Sequence, residues 1–170
     1  MLSMASARCF GAETARAAAD RLEGSVILRT GSAKAFVNRV QTQIDPENPA
    51  VVPMETQDRT FVPLRFAAEA LEAAASWDEG QETAVVTFGG TSIRVKAGEM
   101  SYTVNGQPRP LDVPGFIQDG RMFLPLRAVA EALGKEVFWD ESGLIILSDQ
   151  PEIFDPVREK ALIQMLNAIF

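Results

Sequence analysis

Arg59-Thr60-Phe61-Val62-Pro63-Leu64-Arg65 returns in the same chain as Arg121-Met122-Phe123-Leu124-Pro125-Leu126-Arg127. The match continues outward on the C-terminal side. Ala68-Glu69-Ala70-Leu71 reappears as Ala130-Glu131-Ala132-Leu133, and Trp77-Asp78-Glu79 as Trp139-Asp140-Glu141. Between residues 57–79 and 119–141, twelve of twenty-three positions are identical at a constant offset of 62. Such self-similarity marks a duplicated structural unit. Upstream, Ala35-Phe36-Val37-Asn38 parallels Tyr102-Thr103-Val104-Asn105 and Ile44-Asp45 parallels Leu111-Asp112, now at an offset of 67. The first copy therefore carries five extra residues in the Pro-rich stretch 45–53, and insertions of that kind belong in surface loops. The repeats cover 25–90 and 91–149, between a leader segment (1–24) and a C-terminal segment (150–170).

Within each repeat the local signals agree. Val26-Ile27-Leu28 and Ile93-Arg94-Val95 read as opening strands, followed by Lys34 to Val40 and by Ser101 to Val104. Asn105-Gly106 is a strong hairpin turn, since both residues accept positive φ; Asn38-Arg39 is a poorer one. A short strand through Phe61 or Phe123 leads into a helix whose first turn is expected to hold Pro63 or Pro125, where no backbone donor is needed. Phe66, Ala67, Ala70 and Leu71, and likewise Val129, Ala130 and Leu133, recur at helical spacing and give each helix an apolar face. Arg65 with Glu69, and Arg127 with Glu131, are spaced as i,i+4 ion pairs. Gly134 is a left-handed cap for the second helix. Glu72 stands in its place in the first, which is expected to fray or run on through Ala73-Ala74-Ala75. Closing strands fall at Ala84–Phe88 and Leu144–Ser148. The fold expected is α+β: two tandem small units, each a bent antiparallel sheet packed around one helix. Helices are expected at both flanks, over Ala12 to Leu22 and from Asp155-Pro156 to about Ala168. The latter has an apolar side of Val157, Ala161, Leu162, Met165 and Ile169 that needs a partner, in the repeats or beyond them.

Composition excludes much chemistry. The 170 residues contain no histidine and one cysteine, Cys9. Ser-His-Asp and Cys-His catalytic systems and Cys/His metal clusters therefore cannot be built. With 23 acidic and 16 basic side chains the net charge is −7, which disfavours a non-specific grip on nucleic acid. No apolar run is long enough for a membrane span. Ala5-Ser6-Ala7 has the shape of a signal-peptidase site without the basic and apolar regions that normally precede one.

The pattern Val104-Asn105-Gly106, Leu111-Asp112-Val113-Pro114, Gly120-Arg121, Leu124-Pro125-Leu126-Arg127, Gly134 and Trp139-Asp140 resembles the copper amine oxidase N-terminal domain-like family, or stalk domains, as two tandem copies. The first copy departs at Arg39, Asp58 and Glu72, where the pattern has glycine. The resemblance implies a small α+β module found widely in secreted and surface proteins of Gram-positive bacteria, a non-catalytic appendage with no cofactor. Copper in those oxidases is held by histidines of a separate domain, so no redox activity is carried over. The implied role is spacing or presenting an adjacent domain or protein at the cell envelope, with self-association as a further mode. A carbohydrate-binding module for cell-wall or acidic glycan is the alternative, and a terminal piece of a polysaccharide-degrading enzyme a third.

The candidate residues follow the repeat. Arg59, Pro63, Arg65, Glu69, Trp77 and Asp78, with Arg121, Pro125, Arg127, Glu131, Gly134, Trp139 and Asp140, form the structural motif. The arginines are expected to pair with nearby carboxylates and brace the loop–helix junction. Each Trp is expected to anchor the strand after its helix. Trp77, Trp139 and Tyr102 are the candidates for stacking against a sugar ring. The acidic loop of Asp45 and Glu47, with Asp58, lacks the ligand periodicity of a calcium loop and reads as solvated.

Overall fold

The computed structural model describes Asp20, residues 22–149 and residues 160–170. Cys9, the Ala5-Ser6-Ala7 tripeptide and the Asp155-Pro156 helix start lie outside the described residues, as does the leader helix apart from Asp20 and Leu22. The first repeat runs β1 (Val26–Arg29), β2 (Lys34–Val37), β3 (Val40–Gln43), β4 (Met54–Thr56), β5 (Arg59–Pro63), α1 (Leu64–Ala70), β6 (Ala74–Asp78) and β7 (Thr83–Phe88). The second repeats that order as β8 (Thr91–Lys96), β9 (Ser101–Val104), β10 (Gln107–Pro110), β11 (Phe116–Gln118), β12 (Arg121–Pro125), α2 (Leu126–Leu133), β13 (Glu136–Trp139) and β14 (Leu144–Ser148). A last helix, α3, spans Lys160–Ala168. The architecture is α+β, with antiparallel strand pairing throughout.

Strand pairing does not follow the repeat boundary. One five-stranded sheet has the order β13-β14-β1-β2-β3, and the other β6-β7-β8-β9-β10. Each thus takes three strands from one repeat and two from its mate, so neither repeat keeps a sheet to itself. A four-stranded sheet, β11-β12-β5-β4, joins the two central hairpins. Exchanging the repeats maps every sheet onto its counterpart, which is a pseudo-two-fold arrangement. The register places the axis: Val62 pairs with Leu124, flanked by Phe61 with Pro125 and Pro63 with Phe123. Val62 and Leu124 are the same position of the two repeats. Sharing strands lets two units of about sixty residues, each too small to bury much of its own surface, build one core. Phe61, Val62, Phe123 and Leu124 at its centre are at most 2% exposed. Phe116 lies between the two equivalent phenylalanines, 4.9 Å from Phe61 and stacked at 5.4 Å on Phe123.

Both helices begin one residue later than expected. Pro63 and Pro125 are N-caps with extended backbone and close β5 and β12, and the helices start at Leu64 and Leu126. The first helix neither frays nor runs on. Glu72 takes φ 63°, Glu72 N–H donates to the Glu69 carbonyl at 3.0 Å, and Ala73 N–H donates to that of Ala68 at 2.9 Å. Gly134, at φ 65°, and Lys135 make the matching bonds to Glu131 and Ala130, so both helices end in one left-handed motif. The residues after Ala73 become β6. Arg39 (φ 68°) and Asp58 (φ 55°) also adopt the left-handed conformation of the glycines they replace. Turn geometry is therefore kept without glycine, because the sheet pairings on either side determine it.

The two large sheets differ on their outer faces. Across the sheet of β1, the row Phe36, Ile27, Ile146 and Phe138 is apolar. The matching row across the other sheet is Thr103, Arg94, Val85 and Ser76. Helix α3 covers the apolar row, with Leu162, Ile163 and Leu166 buried against Ile27, Phe138, Leu144 and Ile146. Phe170 meets Phe36 edge-on at 5.4 Å, and Arg29 Nη1 donates to the Asn167 carbonyl at 3.0 Å. The partner of the C-terminal helix is thus the first repeat's opening strand and the second's closing strand. Its buried face is turned about one residue from that read in the sequence. Met165 is 54% and Ile169 40% exposed, because Ile163 and Leu166 point at the sheet instead. Unbroken runs such as Val26-Ile27-Leu28 and Leu144-Ile145-Ile146-Leu147 belong to strands covered on both faces.

Candidate functional site

Of the four repeated arginines, Arg59 and Arg121 each reach a carboxylate of the other repeat. Arg59 Nε donates to Asp112 Oδ2 at 2.6 Å, and Arg121 Nε to Asp45 Oδ2 at 2.6 Å. These are one contact and its pseudo-symmetric mate. Their surroundings differ. Asp45 is buried at 9% exposure, and its Oδ1 accepts from the N–H groups of Glu47 (3.0 Å) and Asn48 (3.1 Å). Burial pushes the Asp45 carboxyl up, and the Arg121 hydrogen bond, the two N–H donors and the Arg121 charge outweigh it, leaving the pKa below the ordinary 3.8. Glu47, in the extra residues of the first repeat, adds a looser contact to Arg121 at 3.5 Å. Asp112 is about half exposed, and the Arg59 hydrogen bond is the main cause of its lowered pKa. Arg59 is raised in turn, chiefly by its hydrogen bond to Asp112.

Each bridge forms one wall of a cleft. The first cleft, about 440 Å³, lies between Asp45–Arg121, the start of α1 at Pro63-Leu64-Arg65, and Trp77. The second, about 880 Å³, lies between Asp112–Arg59, the start of α2 at Pro125-Leu126-Arg127, and Trp139. The bridge, the helix start and the tryptophan recur at equivalent positions in both clefts, while the rest of the lining differs. Trp77 and Trp139 are 40% and 46% exposed on the edge strands β6 and β13, so each indole is half anchored and half presented to its cleft. Arg65 and Arg127 are exposed at the rims. The i,i+4 pairs expected with Glu69 and Glu131 are not among the ion pairs of the described residues. Glu69 lines the first cleft; Glu131 is exposed on α2. The arrangement offers a flat aromatic surface beside a guanidinium, suited to stacking and to a planar anionic group.

The remaining candidates have local duties. Asp78 accepts from Gln81 N–H at 3.1 Å and from Arg94 Nη2 at 3.0 Å. Asp140 accepts from the N–H groups of Ser142 (3.0 Å) and Leu144 (3.2 Å). Each shapes the turn after its tryptophan. Tyr102 is in neither cleft. Its side chain is 5% exposed and packs in the main core, where desolvation and then the Glu131 charge raise its pKa. A ring so covered has no face for a sugar, which corrects its place among the stacking candidates. Asp45 and Asp112 are the residues that sequence reasoning missed as partners of the arginines. Their signal was present in the repeated Ile44-Asp45 and Leu111-Asp112; what was hidden was that each serves the opposite repeat.

Among the described residues no group of three or more His, Cys, Asp or Glu side chains could hold a metal ion, and the chain has no histidine. The donors of an imidazole-held copper are thus absent from this sequence. No helix among the described residues is long and apolar enough to cross a membrane. No curated protein matches the chain. The copper amine oxidase N-terminal domain family matches residues 46–147, more than half of the chain, across most of the first repeat and nearly all of the second. The chain belongs to the copper amine oxidase N-terminal domain family, a family of non-catalytic accessory domains.

Proposed function

We propose that this chain is a non-catalytic module of a secreted or surface-attached bacterial protein, presenting itself or a neighbouring domain at the envelope. The family match over residues 46–147 supports the accessory role, and the pairing of β1 with β14, Val26 opposite Leu147, bears on how the module serves it. The chain enters the repeats and leaves them at one end of one sheet. A module built that way adds little reach along a polypeptide, so presentation and docking are favoured over spacing. The cross-repeat bridges and shared sheets make it a stiff unit, which suits a docking body. The test is fractionation of producing cells together with turnover assays on the purified chain. The expected result is protein in the envelope or medium and no product from amines or glycans. Cytosolic protein, or turnover by the chain alone, overturns the reading.

A second reading rests on the duplicated clefts. Half-exposed Trp77 and Trp139, each with an arginine at its rim, suit the carboxylated sugars of a wall or acidic glycan. Pull-down on immobilised acidic polysaccharide tests it. Retention by the native chain and loss in Trp77→Ala with Trp139→Ala, at unchanged thermal stability, supports binding. Equal retention of native and variant protein sinks it.

A further inference from the structure

The pseudo-symmetry contains an asymmetry at its sheet edges. β3 and β10 occupy equivalent edge positions, each following a two-residue turn at Asn38-Arg39 or Asn105-Gly106 with both turn residues at positive φ. In such hairpins the residues next to the turn exchange hydrogen bonds, and alternate residues then point their backbone groups away from the neighbouring strand. Val37 pairs with Val40, and Ile44 N–H donates to Ala33 at 2.9 Å. The even-numbered residues of β3 therefore bond inward, and the N–H and C=O groups of Gln41 and Gln43 point outward. The matching positions of β10 are Pro108 and Pro110. Proline has no N–H, so both outward donors of that edge are removed, a common protection of open edges. The edge Val40-Gln41-Thr42-Gln43 has no proline and no charge, and Val40 is 68% exposed.

We propose that β3 is a pairing edge for a second copy of this chain, joined antiparallel about a two-fold axis at Thr42. In that register Gln41 of each copy exchanges two backbone hydrogen bonds with Gln43 of the other, four bonds in all. Thr42 faces Thr42, a favourable cross-strand pair, and the exposed Val40 lies opposite Ile44. The charges also fit. Arg39, exposed at one end of the strand, lies opposite the loop at the other end, where Asp45 is already held by Arg121 and the 87%-exposed Glu47 is open to a partner. Each copy thus sets a cation against an anion twice, as an isologous interface requires. The uncharged strand lets two chains of net charge −7 meet without like charges at the seam.

Sedimentation equilibrium on the full chain over a wide concentration range tests this. The expected result is a reversible doubling of mass. The Gln41→Pro/Gln43→Pro variant copies the protection of the other edge and removes no inward hydrogen bond, so it is expected to fold and stay monomeric. Thr42→Lys, which sets two ammonium groups face to face, is a second variant expected to be monomeric with an unchanged circular dichroism spectrum. A native chain that remains monomeric up to about 1 mM, where even millimolar affinity shows, overturns the proposal. A dimer that persists in Thr42→Lys overturns it equally.

Discussion

Arg121 of the second repeat holds Asp45 of the first at 2.6 Å, while the equivalent Arg59 of the first holds Asp112 of the second at the same distance. The two bridges tie the repeats reciprocally across the central sheet. They are equal in geometry and unequal in burial, and burial decides what each contributes.

Replacing Asp45 by Ala removes the acceptor of Arg121 and of two N–H groups at a buried site. A loss of about 2 kcal/mol is expected, in line with charged hydrogen bonds. Asp112→Ala removes a half-exposed partner that water replaces, and its effect should be smaller and should fade with salt. Urea titrations of both variants at low and high salt measure the ordering.

Both carboxyls have folded pKa values below the ordinary 3.8. A depressed pKa stabilises the fold fully above the unfolded value, and that stability is lost as pH falls through the folded value. Stability should therefore be level from neutrality down to about pH 5 and fall below about pH 4. In thermal melts across this range, the Asp45→Asn/Asp112→Asn variant should show a shallower acid slope than the native chain. An unchanged slope would place the acid sensitivity elsewhere.

Arg39 and Glu72 hold left-handed backbone that glycine adopts without steric cost. Glu72→Gly and Arg39→Gly are each expected to stabilise by about 0.5–1 kcal/mol, the steric relief exceeding the added chain entropy. A rise in melting temperature for each single variant is the measurement. The equivalent Gly134→Glu should lower it.

Gly115 lies where an added Cβ would come 2.9 Å from the Phe123 carbonyl oxygen and 2.6 Å from Leu124 Cδ2. Gly115→Ala must displace β12 beside the pseudo-two-fold axis, at a cost of about 1–3 kcal/mol as for other overpacked sites. Denaturant midpoints measure this.

Leu166, 2% exposed, is the deepest contact of α3 on the outer sheet face. Leu166→Ala should cost about 2–3 kcal/mol by cavity formation. It should also raise binding of a hydrophobic dye, since the row Phe36, Ile27, Ile146 and Phe138 loses its cover. The corresponding row on the other sheet, with Arg94 and Thr103, needs no cover.

Sequence alone determined the duplication, the α+β class, the two central helices and the absence of histidine chemistry. These are local or compositional properties: a heptapeptide seen twice, apolar positions at helical spacing, a residue type that never occurs. It also contained the contrast of Gln41 and Gln43 with Pro108 and Pro110, which means nothing until β3 and β10 are known to be edges. Tertiary structure decided which strands meet. β1 finds β14 and β7 finds β8 because a repeat of this size reaches a full core only by lending two strands to its mate, and no local signal encodes that loan. The same exchange redirected Arg59 and Arg121 to distant carboxylates and rotated the buried face of α3. It also took Tyr102 into the core. The sequence places Tyr102 on a short strand before the Asn105-Gly106 turn, and its burial at 5% exposure follows only from how that strand packs in the main core.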